Sequence, residues 1–490
     1  MYYIGYDIGS SSIKVALVHM ATGRVVGVQK EPSGEMSILA PKTNWAEQDQ
    51  EDWWKHLCSA TKSLLTAHSI DKKDILGIGI SYQMHGLVLI DNEGNSLRNA
   101  IIWCDSRAVN IGKDALRNIG SEKCSTQLLN APGNFTASKL KWVKENEPAL
   151  FKKIYKAMLP GDYIAFKLSD KVATTLPGLT EGIFWDFKDQ KIADWLLTYY
   201  CLTKDHLPEV VPTFGHQGTV SARAAAETGL AKETPILYRA GDQPNNALSL
   251  NVFHPGEIAM TGGTSGVIYA ISDSLKSKEI SRINNFAHVN YSLKKPVLGK
   301  LLCINGAGIQ YRWLRENLKV ETYDEMNTLA NTVPVGCDGL LLLPFGNGAE
   351  RMLNNKNIGG QILHLDLNLH TKAHLCRAAL EGIAFAFVYG MEILIGEGLQ
   401  PKIIRAGNDN LFQSEIFSNT ICTLIGYPIE LYNTTGAVGA ARACTLHDGD
   451  LKAFSDTLLS NDYLRTFNPL KETKPYEEAY QNWKEIVNKG

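Results

Sequence analysis

A strand–turn–strand pattern occurs twice in this chain, once at the N-terminus and once near the middle. The first copy, YDIGSSSIKVAL, begins at Tyr6, and the second, MTGGTSGVIYAI, begins at Met260. Each copy joins two apolar segments through a turn rich in Gly, Ser and Thr, which is the composition of a tight hairpin turn. The repetition predicts two domains of similar architecture.

The segments around each copy alternate between strand and helix patterns. Residues 1–32 are predicted to form three strands, followed by a helix over AEQDQEDWWKHLCSATKSLLTAH and a strand over ILGIGISY. The second copy is followed by the strand pattern KLLCING, by the apolar helix HLCRAALEGIAFAFVYGMEILI, and by two strand–turn units, KIIRAGND and IELYNTTGAVGAA. This mixture predicts an α/β fold.

The length of the chain supports the same division. It has 490 residues, 44% of them apolar and 20% charged, which is enough for a large core but too long for one ordinary domain. We expect one domain over residues 1–240 and a second over residues 241–490.

The composition indicates which kinds of molecule the chain binds and in which cellular compartment it occurs. Lys and Arg number 49 against 51 Asp and Glu, so the chain lacks the basic field that gathers nucleic acid or anionic lipid, and small molecules are the expected partners. The nine cysteines are scattered and never spaced as CxxC, which favours reduced thiols in a cytoplasm. The segment GIAFAFVYGMEILIG carries glycines and Glu392, so we expect no membrane span.

The two Gly-Ser/Thr turns allow two interpretations. They are hairpin turns that recur for topology alone, or their backbone N–H groups bind phosphate oxygens from opposite sides of a ligand. Neither GxxxxGK[ST] nor GxGxxG after a strand occurs, which disfavours a P-loop enzyme and a nicotinamide-cofactor enzyme.

Two aspartates lie at the ends of predicted strands. Asp7 precedes the first Gly-Ser turn, where it either initiates the turn or holds a magnesium ion. Asp242, in RAGDQPNNAL, stands between a strand and a helix, where it is either an N-cap or a general base.

Two further segments carry groups that suit sugar hydroxyls. The segment SYQMHGLVLID places Met84 and His85 on a loop after a strand, and AIIWCDSRA places the ring of Trp103 two residues from the carboxylate of Asp105. Each of these residues also has an ordinary structural interpretation, as a buried ring or a surface polar group.

The order DIGSSSIK, QMHG, IIWCDSR, GDQ, GGTSG, AALEG resembles the FGGY family of carbohydrate kinases over nearly the whole chain. The order and spacing of these motifs together are specific, although no single motif is. The resemblance implies two ribonuclease-H-like domains of the actin, hexokinase and Hsp70 type, with ATP in the cleft between them. It therefore accounts for the internal repeat.

The resemblance also implies roles for individual residues. Asp242 matches the catalytic base, and Asp7 matches the acid that organises Mg²⁺ and the transferred phosphoryl group. The expected sugar-binding residues are Met84, His85, Trp103, Asp105, Asp242 and Gln243. The residues expected to contact ATP are Ser11, Lys14, Gly263, Thr264, Gly306, Gly407 and Asn408.

Two departures from the family pattern bear on specificity. Family members that phosphorylate xylulose usually have Gly-Asp-Asn at the base, whereas this chain has Gln243 after Asp242. A second departure is IIRAGNDNLF, where Arg405, Ala406 and Asn408 stand in place of a glycine-rich segment. Side chains at these positions are expected to crowd or contact the nucleotide.

The resemblance implies ATP-dependent phosphorylation of a small ketose, and within the family it is greatest to members that convert D-xylulose to D-xylulose 5-phosphate. A kinase of ribulose, glycerol or erythritol is the nearest alternative. A non-metabolic ATPase of the actin fold and an inactive sugar-binding regulator are more distant ones. ATP and a sugar are the expected ligands. For the oligomeric state, a homodimer is one of the expected alternatives.

Overall fold

The structure is a computed structural model that describes residues 1–408 and 410–489, without the side chains of residues 410 and 448. The strands of the N-terminal half are β1 (Tyr2–Ile8), β2 (Ile13–His19), β3 (Val25–Glu31), β4 (Glu47–Gln48), β5 (Ile75–Tyr82), β6 (Val88–Ile90), β7 (Ala100–Ile101), β8 (Lys156–Met158), β9 (Ala173–Thr175), β10 (Trp185–Asp186), β11 (Lys191–Ile192), β12 (Glu209–Val211), β13 (Phe214–Thr219) and β14 (Pro235–Gly241). Its helices are α1 (Gln50–Ala67), α2 (Val109–Ile119), α3 (Ser121–Lys123), α4 (Thr136–Asn146), α5 (Pro148–Phe151), α6 (Pro160–Ser169), α7 (Leu176–Glu181), α8 (Asp194–Tyr199), α9 (Ala222–Thr228) and α10 (Asp242–Ser249).

The C-terminal half continues the α/β pattern. Its strands are β15 (Glu257–Gly262), β16 (Gly266–Ser272), β17 (Asn284–Ala287), β18 (Leu298–Ile304), β19 (Leu341–Phe345), β20 (Gly359–Leu363), β21 (Ile403–Gly407), β22 (Ile429–Tyr432) and β23 (Tyr463–Phe467). Its helices are α11 (Gly308–Leu318), α12 (Tyr323–Ala330), α13 (Lys372–Gly396), α14 (Glu415–Ile425), α15 (Gly436–Ala443), α16 (Leu451–Asp462) and α17 (Lys474–Lys489).

The two halves are built on sheets of the same design. The first sheet has the order β13-β14-β5-β1-β2-β3, and the second has the order β17-β18-β16-β15-β21-β22-β23. In each sheet an antiparallel hairpin, β1–β2 or β15–β16, is extended on one side by two parallel strands. An antiparallel strand, β13 or β23, then closes that edge. The duplication that the sequence predicts is confirmed, whereas the predicted boundary between residues 240 and 241 stays a prediction.

Most apolar residues of β1, β2 and β5 are buried, whereas β3, at the edge of the sheet, leaves Val25 and Val28 exposed. Residues 1–32 form the three predicted strands, β1 to β3, and β5 has the bounds predicted by ILGIGISY. The predicted helix over residues 46–68 begins later, at Gln50, because the Asp49 carboxylate accepts a hydrogen bond from the Glu51 N–H at 2.9 Å and caps it. Trp53 and Leu57 then lie on its buried face.

Helix α13 is long and apolar enough to cross a membrane, but 83% of its most apolar stretch is buried inside the protein. Ala379, Ile383 and Phe387 are fully buried in the core of the C-terminal half. The helix is therefore the central core helix of this half, which explains why most of its surface is apolar.

The two halves meet through helices α10 and α15. Helix α15 lies flat on the first sheet, since added Cβ atoms at Gly5 and Gly79 would overlap the backbone of Ala437 and Ala440. It also crosses α10, because a Cβ at Gly439 would overlap the side chain of Ser249. The N-terminus of α15 is thereby brought to the end of β1, where Asp7 lies.

Candidate active site

Asp7 occupies the end of β1, beside the first Gly-Ser turn. It lies opposite Lys14 on β2 and Ser81 on β5. The Ser81 hydroxyl donates to Asp7 Oδ1 at 3.1 Å, and Lys14 Nζ lies 3.9 Å from Oδ2. A Cβ at Gly436, the first residue of α15, would lie 3.0 Å from the Asp7 carboxylate. Asp7 therefore faces the junction between the two halves.

The first turn is a hairpin turn, as expected. The Gly9 N–H donates to Ser12 O at 3.1 Å, and Ser11 is exposed at the tip. Gln48 Nε2, from β4, donates to Ser10 O at 2.6 Å and fixes the position of the turn. Trp103 Nε1 approaches the Ser10 hydroxyl at 3.4 Å, so this exposed ring lies at the rim of the same region.

Asp242 follows β14 directly and is the first residue of α10, partly exposed at the junction. Desolvation by the surrounding protein and the charge of Asp7 raise its pKa to about 7, while hydrogen bonds from Gln243 act in the opposite direction. A carboxylate of this pKa exchanges a proton readily near neutral pH, as a general base requires.

Met84 and His85 lie beside Asp242. A Cβ at Gly241 would meet Met84 Cγ at 2.6 Å, so the loop after β5 packs against the backbone next to the aspartate. The His85 ring packs between Phe135, at 5.0 Å between ring centroids, and Phe286 of the C-terminal half, at 5.1 Å. Burial, together with the charges of Lys139 and Arg351, lowers the pKa of His85 to about 3, so its ring is neutral.

Asp105 differs from its sequence-based expectation. Its carboxylate is fully buried, with Oδ2 accepting from the Ala46 N–H at 2.6 Å and from Arg107 Nη2 at 2.7 Å. Arg107 Nε also donates to Oδ1, at 3.0 Å. Because both oxygens are engaged inside the protein, the expected contact with a sugar hydroxyl does not agree with this geometry. Trp103 is by contrast 52% exposed.

The second turn lines a cavity of about 480 Å³ in the C-terminal half. Its walls include Gly263, Thr264, Gly308, Tyr311, Tyr323 and Gln413. The N–H groups of Gly308 and Ile309 donate to the carbonyls of Gly263 and Thr264, both at 3.0 Å, so the turn abuts the N-terminus of α11. This volume is within the range of small-ligand sites.

The remaining residues expected at the nucleotide lie close to this cavity. Gly306 precedes α11, and a Cβ there would overlap the Pro344 carbonyl, so glycine is required by close packing. Gly407 ends β21, and Asn408 O accepts from Gln413 Nε2 at 3.2 Å. Asp409, which belongs to the departing segment, lies outside the described residues.

Arg405 does not crowd the cavity, contrary to expectation. Its Nε donates to Glu430 Oε2 at 2.8 Å, and Nη1 lies 3.5 Å from Glu257 Oε1. Ala406 is buried. The side chain of Arg405 forms ion pairs with residues on neighbouring strands. At this position the departure from the family pattern therefore links strands of the sheet and does not fill the cavity.

Three residues with ionisable side chains near His85 were not predicted from the sequence. Glu181 and Lys139 are buried against the His85 loop. Arg351, whose charge acts on His85, donates from Nε to Ser281 O at 2.8 Å. All three reach the site from segments without a recognisable pattern, and only folding brings them together.

The fold, with its two sheets of the same design, and the comparison with family models together define a two-domain carbohydrate kinase. The model of the N-terminal domain of the FGGY family of carbohydrate kinases matches residues 2–249, and the model of its C-terminal domain matches residues 258–446. The chain belongs to the FGGY family of carbohydrate kinases.

Individual relatives are similar over most of their length. The xylulose kinase of Escherichia coli K12 is 28% identical over 442 residues, covering 90% of this chain and 88% of that protein. The xylulose kinase of Bacillus subtilis 168 is 28% identical over 462 residues, covering 91% and 88%. The solved structure of xylulose kinase from Rhodospirillum rubrum is 26% identical, with a TM-score of 0.88 over 100% of this chain and 99% of that one.

Glycerol kinase from Plasmodium falciparum, solved with ADP, shares the fold. Its TM-score is 0.87 at 18% identity, and the match covers 100% of this chain and 98% of that one.

Proposed function

We propose that this chain transfers the terminal phosphoryl group of ATP to D-xylulose, giving D-xylulose 5-phosphate and ADP. The observation that carries the proposal is Asp242, a carboxylate whose pKa desolvation and the charge of Asp7 raise to about 7, and whose neighbour Gly241 packs against Met84. Xylulose as the substrate is supported by the names of the relatives that are 28% identical over most of the chain.

In the proposed mechanism Asp242 accepts the proton of the terminal sugar hydroxyl while that oxygen attacks the γ-phosphorus of ATP. The bond from the γ-phosphorus to the bridging oxygen breaks, and ADP leaves. Ser11 and Lys14 of the first turn and Gly263 and Thr264 of the second would bind the phosphates. Gly306, Gly407 and Asn408 would lie along the nucleotide.

Asp7 would hold the Mg²⁺ that accompanies ATP, which supplies positive charge beside the phosphate oxygens. The residues present fit such an ion, since Oδ2 of Asp7 has Lys14 Nζ only at 3.9 Å and the side chain is 18% exposed. In the described part of the chain no three His, Cys, Asp or Glu residues cluster as a metal site. Phosphate and water would therefore provide most of the remaining ligands, as is usual for Mg²⁺.

Three side chains would bind the sugar beside Asp242. His85 Nδ1 donates to Glu181 O at 3.0 Å, because a carbonyl oxygen only accepts, so the neutral ring presents Nε2 as an acceptor for a hydroxyl. Gln243 Oε1 is buried without a hydrogen-bond partner among the described residues, and is free to accept a second hydroxyl. Trp103 would cover the sugar from the rim.

A polyol kinase is the second candidate, and Gln243 is the observation that favours it. The Gly-Asp-Gln sequence is the form associated with glycerol kinases, and one added methylene moves the amide relative to asparagine.

Release of ADP with Mg-ATP tests the proposal across D-xylulose, D-ribulose, glycerol and erythritol. We expect the highest kcat/KM with D-xylulose, because His85, Gln243 and Asp242 together suit a chain of several hydroxyls. A preference for glycerol would move the assignment to the second candidate. If no acceptor raises ADP release above the rate with ATP alone, the kinase proposal fails.

The pKa of Asp242 predicts how activity depends on pH. The base must be ionised, so kcat/KM for the sugar should fall about tenfold for each pH unit below about 7 and level off above it. Initial rates between pH 5 and 9, in buffers of constant ionic strength, measure this fall in kcat/KM with decreasing pH. If kcat/KM falls only near the ordinary pKa of an aspartate, neither burial nor Asp7 acts on Asp242 as described.

A further inference from the structure

Glu181 is a buried acid that neither the motifs nor the mechanism uses. It is the last residue of α7, its side chain is 1% exposed, and it lies between the His85 loop and the end of β14. A Cβ at Gly241 would lie 2.8 Å from Glu181 Oε2, so the carboxyl group packs against the backbone that precedes Asp242. One side chain thus contacts both elements that form the sugar side of the site.

Glu181 holds His85 through two independent contacts. Its Oε1 accepts from the His85 N–H at 3.2 Å, and its backbone carbonyl accepts from His85 Nδ1 at 3.0 Å. His85 has φ of +59°, in the left-handed region that a residue with a side chain adopts only when its surroundings hold it there. Lys139 Nζ donates to His85 O at 2.8 Å and fixes the other side of the same residue.

The surroundings of Glu181 suit an uncharged acid. In the described part of the chain no lysine or arginine forms an ion pair with it, and the side-chain donor is the Tyr82 hydroxyl, 3.3 Å from Oε2. An ionised carboxylate buried without a cation is strongly unfavourable. Burial, with the charges of Asp162 and Asp242, accordingly raises the pKa of Glu181 well above its ordinary value, against the opposing hydrogen bond from His85.

We propose that Glu181 is a positioning residue whose carboxyl group, in its uncharged form, holds the backbone of His85, while its backbone carbonyl orients the His85 ring with Nε2 directed to the sugar. The inference rests on the proposed function, since it names a residue that supports the sugar side of the same site. The uncharged state also matters for Asp242, because a second negative charge beside it would oppose ionisation of the base.

Two variants of similar length separate the uncharged acid from an ionised one. Glu181→Gln keeps an acceptor for the His85 N–H, and its amide NH₂ can donate to the Tyr82 oxygen where the wild-type carboxyl group accepts from the Tyr82 hydroxyl, so KM for the sugar should stay within about threefold of the wild type. Glu181→Met keeps the volume but leaves the His85 N–H without its acceptor, so KM for the sugar should rise about tenfold or more. KM for ATP should stay within about twofold in both, since the contact is on the sugar side.

Equal loss in both variants would mean that an ionised carboxylate is required and would overturn the proposal, as would no loss in either. Infrared difference spectra of wild type minus Glu181→Gln at pH 8 supply a readout independent of activity and of the folding of Glu181→Met. We expect the carbonyl band of a protonated carboxylic acid, because bands from other acids cancel. Absence of that band overturns the proposal even if sugar phosphorylation is confirmed. Presence of the band shows that Glu181 is uncharged even if no acceptor is phosphorylated.

Discussion

Replacement of Asp242 by asparagine is expected to lower kcat by about 10²- to 10⁴-fold, because the amide cannot accept the proton of the attacking hydroxyl. The change preserves the shape of the side chain, so the equilibrium affinity for the sugar should change little. Steady-state rates with the best acceptor, together with calorimetric sugar binding in the absence of ATP, separate the two effects.

Thermal unfolding distinguishes this loss from misfolding. Because burial and Asp7 raise the pKa of Asp242 to about 7, its ionised form at pH 8 is less favourable in the folded state than in the unfolded state. Asp242→Asn removes that charge and should unfold at a temperature no lower than wild type. Asp114→Asn, at a position whose side chain is 58% exposed, is the matched control and should retain full activity. Equal turnover by Asp242→Asn would remove this residue from the mechanism.

Substitution of Gly439, where α10 and α15 cross, is expected to have a large effect on the stability of the fold. An added methyl group at Gly439 would overlap the Ser249 side chain inside a packed junction, so Gly439→Ala should lower the free energy of unfolding by about 1–3 kcal/mol. Denaturant titration measures the change. Because α10 begins with Asp242 and α15 begins beside Asp7, we also expect a lower kcat.

Gly396→Ala is the matched control, since a Cβ at this helical position meets no atom within 4 Å. It should leave stability unchanged or slightly improved, because alanine favours a helix more than glycine does. The double variant Gly439→Ala with Ser249→Gly removes the overlapping side chain and should recover part of the loss. Wild-type stability of Gly439→Ala alone would show that the helices separate at this point without cost.

Local patterns were sufficient wherever one short segment decides the structure. The bounds of β1 and β5 follow from short, mostly apolar segments bounded by polar or turn-forming residues, and the first turn follows from Gly9 and its serines. Asp242 could be predicted at the end of a strand because its neighbours in sequence define that strand.

Local patterns failed where a distant segment supplies the partner. The sequence places Asp105 beside Trp103 but does not reveal that Arg107 and the Ala46 backbone occupy its carboxylate. Arg405 likewise pairs with Glu430 on the adjacent strand, which no spacing along the chain indicates.

The amino-acid sequence by itself determined the duplication, the strand ends that carry Asp7 and Asp242, and the two Gly-rich turns, because each depends on residues adjacent in the chain. The tertiary structure alone decided the surroundings of these groups and their electrostatic state. Asp242 has a pKa of about 7 because the folded chain desolvates it and the charge of Asp7 acts on it, and His85 is held in its left-handed conformation by Glu181, nearly a hundred residues away. Desolvation and contact between distant segments exist only once the chain is packed, so no local pattern encodes them.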